Sequence, residues 1–327
     1  MSKTETRPII GFAPMAGVSD MPMRVLCYRM GADYACTEMV SAVGWMCAKR
    51  DNPAYQLLLE TAPEESNTAI QLFGKDPVLM AEAAARACEL KRFTSIDINM
   101  GCPARKVTTS GEGSALLKTP DLAAKLMEAV KTHSFLPVTV KTRLGYDSDS
   151  MNALQLARDA ETIGLKWICL HGRTRAQMYS GQADYAAIAE IRRQVSIPVL
   201  TNGDIFTPED AVRAMAVTDA AGLLIGRGAM GNPWLFHTSR QALEGLTVTM
   251  ETKAEHLAMA LEHIDRMVEF KGEHLGVVEM RTHIGHYISG IRGASAMRRS
   301  LNAAKTAGEQ KALLQALFAL EVGEVVE

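Results

Sequence analysis

Short apolar runs rich in β-branched residues alternate with amphipathic segments along the first 230 residues of the chain. Runs of this length and composition are typical of buried strands, and segments with alanine and leucine at helical spacing are typical of helices. The predicted strands are Ile9–Pro14, Asp33–Val40, Asn67–Phe73, Ser95–Asn99, Pro137–Arg143, Lys166–Leu170, Pro198–Thr201 and Gly222–Ile225. The clearest predicted helices are Val78–Leu90, Asp121–Lys131, Asn152–Ile163 and Pro208–Met215.

Eight units of a strand followed by a helix predict an α/β fold, a (β/α)8 TIM barrel. A doubly wound open sheet is the alternative, and the count of eight strands favours the barrel.

The pattern changes near Gly245, where the strand signals stop. Lys253–Phe270, His283–Ile291 and Gln310–Val322 have apolar faces at helical spacing and predict a small helical bundle. We therefore predict a barrel domain over residues 1–244 and an all-helical domain over residues 245–327.

Composition narrows the class of protein. Apolar residues make up 47% and charged residues 22% of the 327 residues, which is typical of a chain with a substantial core. No apolar run is long enough to span a bilayer, and the first residues lack the apolar stretch of a signal peptide, so we predict a cytoplasmic protein with no membrane contact. The formal net charge of −2 gives no global indication of nucleic-acid binding, and any such surface must be local.

The cysteines give no indication of a metal site. None of the six belongs to a C-x-x-C pair, so we predict neither a zinc site nor a redox dithiol. Most are expected to be small buried apolar residues. They are Cys27, Cys36, Cys47, Cys88, Cys102 and Cys169.

Polar and glycine-rich clusters stand at the ends of seven predicted strands. In barrel enzymes the carboxyl ends of the strands form the active-site face. Lysine, arginine and amide side chains are poorly suited to strands that are packed on both sides, so seven such ends indicate a functional face. The clusters are Ala13–Gly17, Gln71, Asn99–Pro103, Lys141–Arg143, His171–Arg175, Thr201–Asp204 and Gly226–Gly228.

The last two clusters predict a phosphate site. Glycines let backbone N–H groups approach an anion, Arg227 adds a charge, and a helix near residues 232–234 offers its N-terminus. Residues 226–231 also match G-x-G-x-x-G, but a dinucleotide fold needs a further parallel strand after the helix. The chain instead becomes helical, so we reject the dinucleotide interpretation.

Lys141, His171 and Cys102 each allow a structural interpretation. Lys141 could place its ammonium in solvent, and His171 could be a buried histidine with its hydrogen bonds satisfied. At a barrel mouth, Lys141 is better placed to stabilise negative charge on a bound cofactor, which His171 would also contact. Cys102 could be a residue that only packs against its neighbours. Its position in a loop at the same face, near Arg105 and Lys106, instead predicts a reactive or acidic thiol.

Taken together, these stretches resemble the tRNA-dihydrouridine synthase family, and its bacterial B-type branch in particular. The order and spacing hold across the barrel and continue into the helical segment, so the resemblance covers nearly the whole chain. The matching stretches are APMAGVSD (13–20), INMGCPARKV (98–107), GEGSALL (111–117), VKTRLG (140–145), HGRTRAQMYSG (171–181), NGD (202–204), GRGAMGNPW (226–234) and MRTHIGHYISGI (280–291).

The resemblance implies FMN as prosthetic group, NADPH as reductant and a uridine in the tRNA D-loop as substrate. Hydride passes from reduced FMN to C6 of the base, and Cys102 gives the proton to C5. Asn99, Arg143 and Arg173 are implied near the flipped uracil, and the C-terminal helices are implied to bind tRNA. The residues implied around FMN are Pro14, Met15, Ala16, Gln71, Lys141, His171, Asn202, Gly203, Asp204, Gly226 and Arg227.

Residues 281–305 form a basic segment without an acidic residue. In a chain of net charge −2, such a segment predicts phosphate contact with RNA, although a solvated helix face explains the charge equally well. We infer no obligate protein partner. Its five cations are Arg281, Arg292, Arg298, Arg299 and Lys305.

Two other functions remain open at this point. An FMN barrel oxidoreductase that acts on a small molecule would share the phosphate site and Lys141, but it would have no use for the basic segment. A non-catalytic RNA-binding protein would have no use for Cys102 and the cofactor residues. The residues do not decide which uridine is modified (position 17 is implied only by the resemblance), whether ribosomal RNA is also a substrate, whether NADPH or NADH is preferred, or the oligomeric state.

Overall fold

Eight parallel strands close into a barrel at the centre of the computed structural model, which describes residues 7–322. The strands pair in chain order, and β1 pairs with β8 to close the ring, so the (β/α)8 barrel is confirmed and the open sheet is excluded. Each predicted strand matches an observed one to within two residues at either end. The strands are β1 Ile9–Phe12, β2 Tyr34–Ser41, β3 Thr68–Phe73, β4 Ser95–Met100, β5 Val138–Arg143, β6 Trp167–His171, β7 Val199–Asn202 and β8 Gly222–Ile225.

Helices surround the barrel and form the C-terminal part of the described chain. Short 3₁₀ helices at Gly113–Lys118 and Arg227–Ala229 follow β4 and β8. No helix within residues 7–322 has the length and apolar character needed to cross a membrane. The α-helices are α1 Met21–Arg29, α2 Ala42–Cys47, α3 Pro53–Leu59, α4 Pro77–Glu89, α5 Arg105–Thr108, α6 Pro120–Thr132, α7 Ala153–Ile163, α8 Tyr185–Arg193, α9 Pro208–Thr218, α10 Leu235–Leu243, α11 Lys253–Lys271, α12 Glu273–Tyr287, α13 Ala294–Ala303 and α14 Ala307–Val322.

Successive strand residues face opposite sides of the barrel wall, which divides its core into two layers. The larger apolar cluster joins the outer faces of the strands to the surrounding helices. The smaller cluster includes Tyr34, Cys36, Trp167 and Cys169, which alternate along β2 and β6. The Tyr34 and Trp167 rings meet edge to face, with centroids 5.1 Å apart, at the first residues of their strands. These rings close the interior of the barrel at the amino ends of the strands.

Helices α11 to α14 pack around their own apolar cluster. The predicted boundary near residue 245 falls between α10 and α11. Two predictions for this part were inaccurate: the helix predicted at His283–Ile291 is α12, which spans Glu273–Tyr287, and α13 was not predicted. The start of α12 was missed because Gly276 is a residue type that disfavours helices. Its small size is needed there, because an added Cβ would lie 2.8 Å from the Met267 carbonyl oxygen of α11. The α13 helix was missed because most of its side chains are exposed.

Two glycines of α12 provide a matched test of this close approach. Gly276→Ala should destabilise the protein because its methyl group would press against the backbone of α11, and such overpacking costs about 1–3 kcal/mol. Gly285→Ala has open space around the new Cβ and should stabilise the helix by up to about 1 kcal/mol. Urea unfolding of both variants measures the difference. Equal effects of the two substitutions would show that α11 and α12 do not meet at Gly276.

Candidate active site

A pocket of about 440 Å³ opens at the carboxyl ends of the strands. Every strand or the loop after it contributes to its lining: seven of them through the clusters that the sequence predicted, and β2 through Met39, which was not predicted. Of the barrel residues predicted for the site, only Arg173 is absent from the lining. Those present are Pro14, Met15, Ala16, Gln71, Asn99, Cys102, Lys141, Arg143, His171, Asn202, Gly203, Asp204, Gly226 and Arg227.

A chain of buried hydrogen bonds runs across three strands beneath the pocket. Thr139 Oγ1 donates to Asp97 Oδ1 at 2.6 Å, and Gln71 Nε2 donates to Asp97 Oδ2 at 2.7 Å. Asn99 Nδ2 in turn donates to Gln71 Oε1 at 2.9 Å. Burial raises the pKa of Asp97, while these hydrogen bonds and the nearby Lys141 oppose the rise. The chain fixes the Gln71 and Asn99 side chains at the pocket floor.

The same chain ends at the backbone of Cys102. Asn99 Oδ1 accepts hydrogen bonds from the N–H groups of Gly101 at 3.1 Å and Cys102 at 2.9 Å. On the other side, the Cys102 carbonyl accepts from Ser114 N at 3.1 Å and Ser114 Oγ at 2.8 Å. Gly113 allows this approach, because its φ is +59° and a Cβ there would lie 3.0 Å from the Cys102 oxygen. The backbone of Cys102 is therefore held on both sides while its side chain lines the pocket.

Lys141 and His171 give the pocket wall an unusual electrostatic character. Lys141 is half-buried, and its ammonium makes no hydrogen bond or ion pair with any residue from 7 to 320. Burial lowers the Lys141 pKa, and the adjacent Arg143 acts in the same direction. Burial also lowers the pKa of His171 well below its ordinary value, and the surrounding lysine and arginines add to this effect. His171 is thus a neutral imidazole beside cations, a setting that suits an anionic ligand.

Arg143 joins two of the loops that form the pocket. Its Nε donates to the Gly101 carbonyl at 2.9 Å, and its Nη1 donates to the carbonyls of Thr174 at 3.0 Å and Met178 at 2.8 Å. Burial lowers the pKa of Arg143 to about 10. Nη2 has no hydrogen-bond partner within the described part of the chain, so it is available to a ligand in the pocket.

Arg173, predicted near the substrate base, lies behind the lining. Its guanidinium makes a bidentate pair with Asp204, at 2.8 and 2.6 Å, and also donates to the carbonyls of Ser180 and Gly181. Burial alone would raise the pKa of Asp204, but hydrogen bonds from Arg173 and from the Ala183 N–H lower it below its ordinary value. Because Asp204 adopts a left-handed backbone with φ of +49°, this pair holds a strained loop at the pocket edge.

The glycines of the predicted phosphate loops serve different purposes. Gly203 has φ of +117° and packs so closely that an added Cβ would lie 2.7 Å from the His171 ring. Gly228 packs against the backbone of Ile205 in the same way. At Gly226, by contrast, a Cβ would meet nothing closer than the Met15 sulfur at 3.5 Å, so this glycine leaves space inside the pocket.

The helix predicted to point its N-terminus at this site does not reach it. Helix α10 begins at Leu235, and residues 232–234 are absent from the pocket lining. Trp234 instead stacks on His256 of α11, with ring centroids 5.3 Å apart. The short 3₁₀ turn at Arg227–Ala229 takes the place of that helix at the pocket edge.

The sequence patterns did not predict the apolar side chains of the lining, which are Met178, Tyr179 and Phe206 at the pocket mouth and Met39 beside Asn99. The Tyr179 side chain is 50% exposed and its ring lies 4.3 Å from the Arg227 guanidinium. Phe206 is 46% exposed and lies 5.4 Å from the same group. Exposed aromatics above a pocket offer stacking surfaces, but nothing in their spacing distinguishes them from core residues.

Comparison with known proteins now decides the family. Residues 11–322 match the family described as Dihydrouridine synthase (Dus). This chain belongs to the dihydrouridine synthase family.

Relatives of this family member match it over most of their length. It is 43% identical to "tRNA-dihydrouridine synthase B" of Vibrio cholerae over 309 residues, which cover 94% of each chain. Identity to "tRNA-dihydrouridine synthase B" of Pseudomonas aeruginosa is 40% over 308 residues, or 94% of this chain and 92% of that one. The "Probable tRNA-dihydrouridine synthase" of Rhodobacter capsulatus is 40% identical over 312 residues, or 95% of each chain.

Among solved structures, histamine dehydrogenase from Rhizobium sp. 4-9 resembles this dihydrouridine synthase family member in fold alone. The TM-score is 0.54 at 12% identity, and the match covers 79% of this chain. The chain spans about half of that structure, 48% of its length.

The basic segment of this family member lies on the helical part, away from the pocket lining. Arg298 and Arg299 are exposed on α13 and make no ion pair with any acidic residue from 7 to 320. Arg281 is half-buried, and its Nη2 donates to the Ala304 carbonyl at 3.2 Å. Arg292 and Lys305 are exposed. The two exposed arginines of α13 are therefore placed to contact a ligand outside the barrel.

The Arg173–Asp204 pair predicts a specific pH dependence of stability. Because the pKa of Asp204 is lower in the folded state than the value of about 3.9 expected on unfolding, its stabilising effect is present above that value. The effect is lost as the pH falls through the lower, folded pKa. Asp204→Asn should cost up to about 3 kcal/mol at pH 7, because Arg173 is left buried without a counter-charge.

Urea unfolding of both proteins between pH 7 and pH 2.5 measures this effect. The gap between wild type and Asp204→Asn should narrow as the pH falls below about 4. A gap that stays constant over that range would contradict the assigned pKa shift.

Proposed function

We propose that this protein reduces uridine in the D-loop of tRNA to 5,6-dihydrouridine, with FMN as prosthetic group and NADPH as the reductant that recharges it. Membership of the dihydrouridine synthase family and the printed names of the relatives support the tRNA substrate. The observation that carries the proposal is the pocket, which combines an unpartnered ammonium, open space beside a glycine and a cysteine with a rigid backbone.

The residues of the pocket fit a flavin mononucleotide. The Lys141 ammonium has no partner within the described chain, and negative charge on a reduced flavin would supply one. Gly226 leaves space that a Cβ would fill, and Arg227 stands beside it. We assign FMN to the predicted set, which lines the pocket throughout: Pro14, Met15, Ala16, Gln71, Lys141, His171, Asn202, Gly203, Asp204, Gly226 and Arg227.

A bound flavin would supply hydride to C6 of the base, and the protein would supply the proton. Uracil C6 lies β to the C4 carbonyl, so hydride addition there leaves enolate character at C5. A positioned acid must then protonate C5, and the Cys102 thiol lines the pocket on a backbone held by Asn99 and Ser114. One hydride and one proton complete the two-electron reduction of the C5–C6 double bond.

The base must leave its stack to reach this pocket. We place it near Asn99 and the available Nη2 of Arg143, with Tyr179 and Phe206 as apolar surfaces at the mouth. Arg173 then acts on the site through Asp204 and not by contact with the base. The remainder of the tRNA lies against the basic segment, through Arg281, Arg292, Arg298 and Arg299.

Cys102→Ala tests the proton-transfer step. The variant should bind FMN and be reduced by NADPH like the wild type, yet reduce tRNA about 10²–10⁴-fold more slowly, since a general acid has been removed. Single-turnover oxidation of the reduced protein by tRNA gives the rate, and the spectrum and mass of the released cofactor identify the flavin.

Cys47→Ala is the matched control, because Cys47 is exposed on α2 and lies outside the pocket. It should react at the wild-type rate. Near-normal turnover in Cys102→Ala would show that Cys102 is a packing residue and not the proton donor. Absence of FMN from the reconstituted wild type would refute the cofactor assignment.

The double variant Arg298→Ala, Arg299→Ala tests the RNA surface. Removing one arginine–phosphate ion pair should lower the salt dependence of binding by about 1 on a log–log scale, so the double variant should weaken tRNA affinity and flatten its salt dependence by about 2. The flavin spectrum and the NADPH half-reaction should not change, because neither residue lines the pocket.

Arg192→Ala with Arg193→Ala provides the control, because it removes the same charge from the half-buried Arg192 and the exposed Arg193 of α8. The control should bind tRNA with the wild-type salt dependence. Unchanged affinity in a folded α13 variant would remove Arg298 and Arg299 from the RNA surface.

A further inference from the structure

A second polar cluster lies outside the pocket, where the barrel meets the helical part of the chain. Asp20 caps the start of α1, His263 lies on α11 and His283 on α12. All three side chains are buried, and one ligand atom from each lies within 4.8 Å of the other two. Because the residues are far apart in sequence, no ligand spacing reveals the cluster, and the sequence had predicted no metal site.

The two imidazoles have nitrogens with no internal partner. His263 Nε2 and both ring nitrogens of His283 are buried without a hydrogen bond in the described part of the chain. His263 Nδ1 is 3.2 Å from the Tyr287 hydroxyl, so when it donates that hydrogen bond, Nε2 carries the lone pair. Buried polar atoms without a hydrogen-bond partner are costly unless something binds them.

The charges around the cluster favour a cation. Lys271 Nζ lies 2.5 Å from Asp20 Oδ2 and also pairs with Glu279, and Glu38 interacts with the same group. Lys271 opposes a second cation, but three carboxylates surround this one ammonium. The carboxyl groups thus outnumber the ammonium group by two at this cluster, an excess of acidic groups that one divalent cation would offset.

We propose that Asp20, His263 and His283 bind one divalent transition-metal cation, with Zn²⁺ preferred. Two imidazole nitrogens and a carboxylate oxygen form a ligand set that suits Zn²⁺, whereas Mg²⁺ and Ca²⁺ require mostly oxygen ligands. The ligands belong to three helices from both parts of the chain, so the ion would join α1 to α11 and α12. Its role is structural, because none of the three residues lines the pocket.

Cobalt provides a direct test, since Co²⁺ in a zinc site absorbs visible light. Untagged protein stripped with a chelator should bind one Co²⁺ per chain, with ligand-field bands that Zn²⁺ abolishes, and Zn²⁺ should raise the thermal midpoint. His263→Gln and His283→Gln should lose the bands and the rise. His286→Gln, an exposed histidine one turn further along α12, is the matched control and should keep both.

Lys271→Gln should change Co²⁺ binding in the opposite direction to the histidine substitutions. Removal of the ammonium beside Asp20 should tighten Co²⁺ binding, whereas a merely structural contribution of Lys271 would leave it unchanged or weaken it. The proposal is overturned if stripped wild-type protein shows neither bands nor a Zn²⁺-dependent midpoint, which is what an ordered water at the cluster would give. Bands that persist in both histidine variants would overturn it equally.

Discussion

The pocket depends on one buried carboxylate in the barrel wall. An ionised carboxylate only accepts hydrogen bonds, so Asp97 requires donors from β3 and β5, and it receives them from Gln71 and Thr139. With the Gln71 amino group committed to Asp97, its oxygen must face Asn99, whose own oxygen then faces the N–H groups of the Cys102 loop. The direction of the hydrogen bonds that join three strands and one loop thus follows from a single charge. The low dielectric around that charge strengthens every hydrogen bond in the series.

The loops above that floor are held by two arginines that bind protein atoms, and one of them, Arg143, also lines the pocket. Arg143 ties the loop after β4 to the loop after β6, while Arg173 ties the loop after β6 to Asp204 after β7. With Lys141 and Arg227 they surround the neutral His171 with positive charge. A flavin oxidoreductase for small molecules could use the same pocket, and the exposed arginines of α13 are the feature that favours RNA.

Much of the barrel and of its pocket face could be predicted from the sequence, because strands and the polar clusters that end them are recognised from neighbouring residues. The eight strands follow from apolar runs, and the polar clusters at seven strand ends locate the functional face. The fourteen site residues that line the pocket were named from the resemblance to the family. The role of Arg173 could not be predicted from the sequence, because the side chains of neighbouring residues in one sequence motif contact different partners. The long-range packing was also hidden: Gly276 indicates a helix break in sequence yet permits helix packing, and Asp20, His263 and His283 meet only after the barrel and the helices pack.

A map of modified nucleotides tests most directly which chemical reaction takes place at this pocket. Mass spectrometry of RNA from a strain that lacks the gene, compared with the same strain carrying the wild-type gene, locates each dihydrouridine. We expect at least one dihydrouridine in the tRNA D-loop to disappear on deletion and to return with the wild-type gene. An unchanged dihydrouridine pattern in tRNA would contradict the assignment of uridine in tRNA as the substrate.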